Sequence, residues 1–114
     1  MASPATYNMV VPQATTFQFA SIIKEDSTPW DLTGYIGIMT VRPFLGSTTT
    51  TLVASTANGK MTLGGTSGTI TVDLSAVDTA LKAEPYVYDL MLDSGSVITR
   101  VLEGQFIVTA GVTV

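Results

Sequence analysis

The feature that most constrains this chain is a two-residue alternation of apolar and polar side chains, repeated in short runs that stop at turn-forming residues. In TITVDL, Ile70, Val72 and Leu74 fall on one side while Thr69, Thr71 and Asp73 fall on the other. In YVYDLMLD, Tyr86, Tyr88, Leu90 and Leu92 alternate with Val87, Asp89, Met91 and Asp93. Successive side chains of an extended strand point to opposite faces, so each run predicts a strand with one buried face. TFQFASII repeats the pattern, with Phe17, Phe19 and Ile23 opposed to Gln18 and Ala20. The β-branched run YIGIMTVRP suits a central strand that ends at Pro43.

Turn chemistry separates these runs. Residues 24–27 (KEDS) form a polar turn, Asn58-Gly59 has the hairpin dipeptide, and Gly64, Gly65 and Gly68 make a further turn before TITVDL. Asp93-Ser94-Gly95 closes a hairpin into VITRVLEGQFIVT, where Gly104 is expected to mark a bulge that divides the run. The threonine-rich stretch STTTTLVAST favours extended backbone and reads as a strand of weakly specified register. One segment reads as helical: in SAVDTALKAEP, Ser75 caps a first turn, Asp78 sits near its positive end and Pro85 stops it after one or two turns. Seven or eight strands with one short helix, in 114 residues, predict a single all-β domain spanning residues 1–114. The expected fold is an immunoglobulin-like antiparallel β-sandwich, with a closed barrel as its rival and residues 1–13 as an extended N-terminal arm.

Charge bears on partners. Charged residues make up 12% of the chain, about half the usual ~25%, against 46% hydrophobic residues, so part of the surface is expected to be covered. A net charge of -4 repels phosphate backbones and anionic lipid, so neither nucleic acid nor membrane is an expected partner. The N-terminus lacks the basic start and apolar stretch of a signal peptide, and no run approaches the ~18 apolar residues needed to span a bilayer. A soluble, cytoplasmically made chain is expected.

The chain has no histidine and no cysteine, which excludes Ser/His/Asp triads, thiol nucleophiles, disulfides and imidazole or thiolate metal sites. Carboxylate pairs could still serve as acid and base, and Asp89, Asp93 and Glu103 are the clustered candidates, but their spacing fits no motif and suits solvated outward strand positions. Neither Glu25-Asp26 nor Asp93-Ser94-Gly95 supplies the oxygen pattern of a calcium loop. The Gly64, Gly65, Gly68 cluster lacks the Lys and Ser/Thr of a phosphate loop. No catalytic residue, cofactor or metal ligand is assigned, and a non-enzymatic protein is expected.

The remaining candidates are contact residues. Tyr7, Met9, Val10 and Val11 lie between prolines and could add a strand to this domain or to a neighbour. Trp30, beside Pro29, is either a core or lid residue or a recognition anchor. Arg42 and Arg100 stand in or at the end of apolar strands, where they either pair with Asp31, Asp89 or Glu103 across the sheet or reach another subunit. Phe106, Val112 and Val114 belong to an apolar C-terminal run expected to be covered. Tyr86 and Tyr88 should point inward with their hydroxyls on backbone partners.

Three segments together, TPWDLTGYIGIMTVRP, GTITVDL and PYVYDLMLDSGSVITRVLEGQFIVTAGVT, resemble small structural proteins of tailed-bacteriophage virions. The elements that carry the likeness are Asp31 to Tyr35 with Arg42, Tyr88 to Leu90 with Asp93 and Gly95, and Leu102 to Gly104 with Val112 and Thr113. They cover about two thirds of the chain, and in style they are similar to the N-terminal β-sandwich of phage baseplate upper proteins. The resemblance implies a multi-copy or homo-oligomeric virion subunit contacting other virion proteins, an assembly or fibre-attachment module in tail, baseplate or neck. The alternatives are a capsid decoration protein, a free ligand-binding module using Trp30, and a small hydrolase using Asp89 and Glu103.

Overall fold

The alternating runs fold as strands over nearly the spans their periodicity predicts. The computed structural model describes residues 5–25 and 27–111. In chain order the described strands are β1 (Ala5–Thr6), β2 (Met9–Pro12), β3 (Phe17–Ile22), β4 (Lys24–Glu25), β5 (Thr28–Pro29), β6 (Ile36–Arg42), β7 (Leu52–Ser55), β8 (Met61–Leu63), β9 (Thr69–Leu74), β10 (Pro85–Asp93) and β11 (Ile98–Thr109). A 3-10 turn, Gly65–Ser67, precedes β9.

Two sheets pack together. The larger runs β1-β11-β10-β6-β7, with β2 also on β11, and the smaller runs β3-β9-β8; β4 and β5 form a separate short hairpin. The inward sides of both supply the core: Ile70, Val72 and Leu74 from β9 meet Met39 and Val41 of β6, Leu90 and Leu92 of β10, and Phe106 of β11, each fully buried. Burying side chains of this size contributes about 1.5–3 kcal/mol apiece, so the alternation itself sets which face of each strand turns inward. Trp30 and Tyr35 pack edge-on at the margin of this core, ring centroids 5.8 Å apart.

Four details differ from the sequence-based expectations. The larger sheet is not wholly antiparallel, because β1 and β2 both run parallel to β11. Burial accounts for the placement of β2 on this edge, though not for its direction: Met9 and Val11, paired with Phe106 and Val108, enter the core with 1% and 0% exposure. The threonine-rich stretch forms a strand only over Leu52–Ser55. Ahead of it, Phe44–Ser47 closes a turn through Ser47 N–H on the Phe44 carbonyl (3.1 Å), and the Ser47 hydroxyl accepts from Thr49 N–H; such local bonds compete with a sheet ladder.

The expected helix is cut to a single turn, closed by Thr79 N–H on the Ser75 carbonyl (3.2 Å) and not continued. Ser75 and Asp78 do cap one another, Asp78 N–H donating to Ser75 Oγ and Ser75 N–H to Asp78 Oδ2. Burial opposes charge on Asp78, but the Lys60 ammonium at 2.8 Å and the Ser75 donors outweigh it and hold its carboxyl below the usual range. The next residue ends the run. Thr79 is fully buried, its hydroxyl donating to the Thr15 carbonyl (2.6 Å) and accepting from Thr15 N–H (2.9 Å), which ties this segment to the β2–β3 connection.

Finally, Gly104 does not divide the last strand. The bulge lies at Val101, where register passes from Leu90 opposite Leu102 to Met91 opposite Arg100, and both Val101 and Leu102 are buried.

Candidate functional site

The bulge at Val101 determines what the outer face of the larger sheet presents. In an unbroken strand Arg100 and Glu103, three apart, would face opposite sides. The extra residue resets the phase, so Ile98 and Arg100 before it, and Glu103 and Gln105 after it, all point outward. The pairing registers then arrange that face in rows across β6, β10 and β11: Ile36, Asp93, Ile98; Ile38, Met91, Arg100; Thr40, Asp89, Glu103; Arg42, Val87, Gln105.

The middle of the face is ionic. Arg100 Nε lies 3.3 Å from Asp89 Oδ2 and its Nη1 lies 4.0 Å from Glu103 Oε1, with the guanidinium half-exposed. Such exposed pairs contribute little to stability, typically below ~1 kcal/mol. Arg42 is differently placed: its Nη1 donates to Thr50 Oγ1 at 3.1 Å, and none of the ion pairs among the described residues includes it. Asp93 Oδ1 accepts from Gly95 N–H in the hairpin (2.7 Å).

The two ends are apolar. At one, Ile36 and Ile98 are 58% and 65% exposed beside exposed Val97. At the other, the Phe44–Ser47 turn stands over the sheet beside Arg42, with Phe44 63% and Leu45 90% exposed. Gly46 takes φ +89°, the left-handed conformation that a turn of this shape needs at its third residue. Between turn and sheet runs an open groove of about 730 Å³, floored by Thr40, Arg42, Val87, Asp89 and Gln105. Loop tips are ordinarily polar, so two large apolar side chains held at the tip of a hydrogen-bonded turn are exposed against the hydrophobic effect. Charges between apolar ends suit the holding of another surface.

Tyr88 ties the N-terminal strand under this face. Its hydroxyl donates to the Tyr7 carbonyl at 2.6 Å, and burial, with a smaller contribution from Tyr7, raises its phenol to about 12. Because the folded-state value is the higher one, the stabilisation is complete below the unfolded value near 10 and is lost as pH rises toward about 12. Stability should therefore fall by about 2–3 kcal/mol across that window, and Tyr88→Phe should flatten the fall. Urea unfolding at stepped alkaline pH measures this; an unchanged slope in the variant would contradict the assignment.

The structure distributes the predicted contact residues unevenly. Met9, Val11 and Phe106 are buried in this chain's own core, so their side chains are not available to another chain: the sandwich needs them to close. Tyr7 is half-exposed and packs on Phe19, ring centroids 5.1 Å apart, and Val10 is exposed on the outer side of β2. Trp30 is half-buried against the core. Arg42 and Arg100 share the groove. Asp31, expected as an arginine partner, instead accepts from Thr33 N–H, and Thr33's hydrogen bonds lower its carboxyl. Val112, Val114 and Asp26 lie outside the described residues. Asp89 and Glu103 do come together, with Arg100 bridging them, while Asp93 stands at the far end of the face.

Sequence reading missed Phe44, Leu45, Ile36, Val97 and Ile98. For the first two a signal existed: PFLGS has the spacing of a turn with glycine in third place, yet carries apolar residues where turns are polar. Among the described residues no helix is long and apolar enough to cross a membrane, and no three acidic groups converge as metal ligands. Compared with protein-family models and with curated proteins, the chain matches none.

Proposed function

We propose that this chain is a non-enzymatic structural module of a tailed-bacteriophage virion, an assembly or attachment domain in tail, baseplate or neck. The observation that carries the reading is the outer face of the larger sheet, where large apolar side chains stay exposed at both ends of an ionic centre. An apolar patch of this kind is buried in an assembly or is a liability outside one. The likeness of the DLTGY, YDL and LEG segments to virion proteins supplies the kind of assembly.

We further propose that the two packed sheets form an immunoglobulin-like sandwich. Strand order β3-β9-β8 against β11-β10-β6-β7 follows the B-E-D and G-F-C-C′ order of an immunoglobulin-like sandwich, with the first strand moved onto the last. Tyr86 supports it further: near the start of β10 its hydroxyl donates to the Lys82 carbonyl four residues upstream, at 2.8 Å, as in the tyrosine corner of such domains.

Mass spectrometry of purified particles tests the reading. The expected result is this chain in stoichiometric amount after density purification; its absence from intact particles would overturn the proposal.

A further inference from the structure

The two ends of the outer face are complementary to one another, and from this we infer that the chain forms a two-fold dimer with a second copy of itself through that face. The inference rests on the face alone and stands apart from the virion reading. One end offers a cation, Arg42, beside Val87 and the exposed Phe44 and Leu45. The other offers a carboxylate, Asp93, between exposed Ile36 and Ile98.

The four rows of the face span about 20 Å along the strands. Consider a two-fold axis lying between the copies, across the strands, midway between the Met91 and Asp89 rows. It sets the first row of one copy over the fourth row of the other. Arg42 then comes over the row holding the second copy's Asp93, within reach of its long side chain, and the Phe44–Leu45 tip meets Ile36 and Ile98. The same operation sets Arg100 over the second copy's Glu103. A two-fold interface is self-complementary by construction, so every such contact occurs twice. Unlike Arg100 and Glu103, which already share an ion pair, Arg42 and Asp93 hold only neutral partners among the described residues.

The geometry yields a charge-exchange experiment on the whole chain. Sedimentation of the wild type at micromolar concentration should show a dimer. Arg42→Asp places Asp against Asp93 at both contacts, and Asp93→Arg places Arg against Arg42 at both. Each variant alone should sediment as monomer, its dimer weakened about tenfold or more. An equimolar mixture should recover the dimer as a heterodimer, because one chain then supplies two carboxylates and the other two cations. Thermal unfolding of each variant confirms the fold, since both positions lie outside the core.

A monomeric wild type, a variant that remains dimeric, or a mixture that stays monomeric would each overturn the inference. The two readings fail separately. A monomer found in purified particles removes the dimer and leaves the virion role, whereas a dimer absent from particles does the reverse.

Discussion

Truncating Phe106 to alanine is expected to lower the stability of the isolated chain by about 3–5 kcal/mol, a large part of the 5–15 kcal/mol typical of a domain. The ring is fully buried on β11, between Tyr86 of β10 and Met9 of β2, and faces the smaller sheet. It thus touches the strands that close the larger sheet and the layer packed against it, and its removal leaves a cavity that none of these rigid neighbours can fill. Phe106→Leu should fall between, at roughly 1–2 kcal/mol. Val87→Ala, on the outer face, should stay within about 0.5 kcal/mol. Denaturant unfolding with a fixed m-value measures all three. The experiment also separates two roles, since a Phe106 that served only another subunit would leave the isolated chain as stable as before when truncated.

What the sequence disclosed, and what it hid, follows from the range of the forces involved. Inward faces were legible because burial acts on each strand separately: Ile70, Val72 and Leu74, and Tyr86, Tyr88, Leu90 and Leu92, are buried as their alternation predicts. The direction of β2 was not legible, because MVVP has the same apolar positions whether it joins a parallel or an antiparallel neighbour. The helix over residues 75–85 failed for a long-range reason. Its cap and first turn formed, but the Thr79 carbonyl accepts from Ala14 N–H instead of from a later residue of the segment, and tertiary bonding overrode a weak local preference.

The outer face was hidden for two reasons. Ile36, Asp93 and Ile98 come from three separate strands, so only the register makes them neighbours. The bulge that turns Arg100 and Glu103 to the same side was assigned to Gly104, because glycine is the usual sign of a bulge. Here the extra residue is Val101, an apolar residue that the core accepts on the inner side beside Leu102. The arginines were legible only in part: sequence offered Asp31, Asp89 or Glu103 to Arg42 and Arg100 alike and left another subunit open. The register gives Arg100 both Asp89 and Glu103, while Arg42 bonds Thr50 and Asp31 bonds Thr33.

Gly104 therefore needs a different explanation, and it carries the second large prediction. A Cβ at this position would overlap the Tyr7 carbonyl oxygen and lie 2.9 Å from Asn8 Oδ1. Three bonds converge there: Tyr7 N–H donates to the Glu103 carbonyl (2.9 Å), Gln105 N–H to Asn8 Oδ1 (3.0 Å), and the Tyr88 hydroxyl to the Tyr7 carbonyl (2.6 Å). The glycine is what lets the N-terminal strand lie this close to β11. Gly104→Val must push β1 and the start of β2 away, loosening those bonds at ~1 kcal/mol each and unseating Met9. The expected loss is about 2–4 kcal/mol. Its signature is local: in native-state hydrogen exchange the amides of residues 5–11 should lose protection, while Ile70 and Leu90 keep theirs relative to the new global stability. Gly46→Ala supplies the comparison, because Gly46 has φ +89° with open space around it and reports backbone strain alone, about 1 kcal/mol. If Gly104→Val costs no more than Gly46→Ala, or if protection falls evenly across both sheets, close packing of the N-terminal strand is not what this glycine provides.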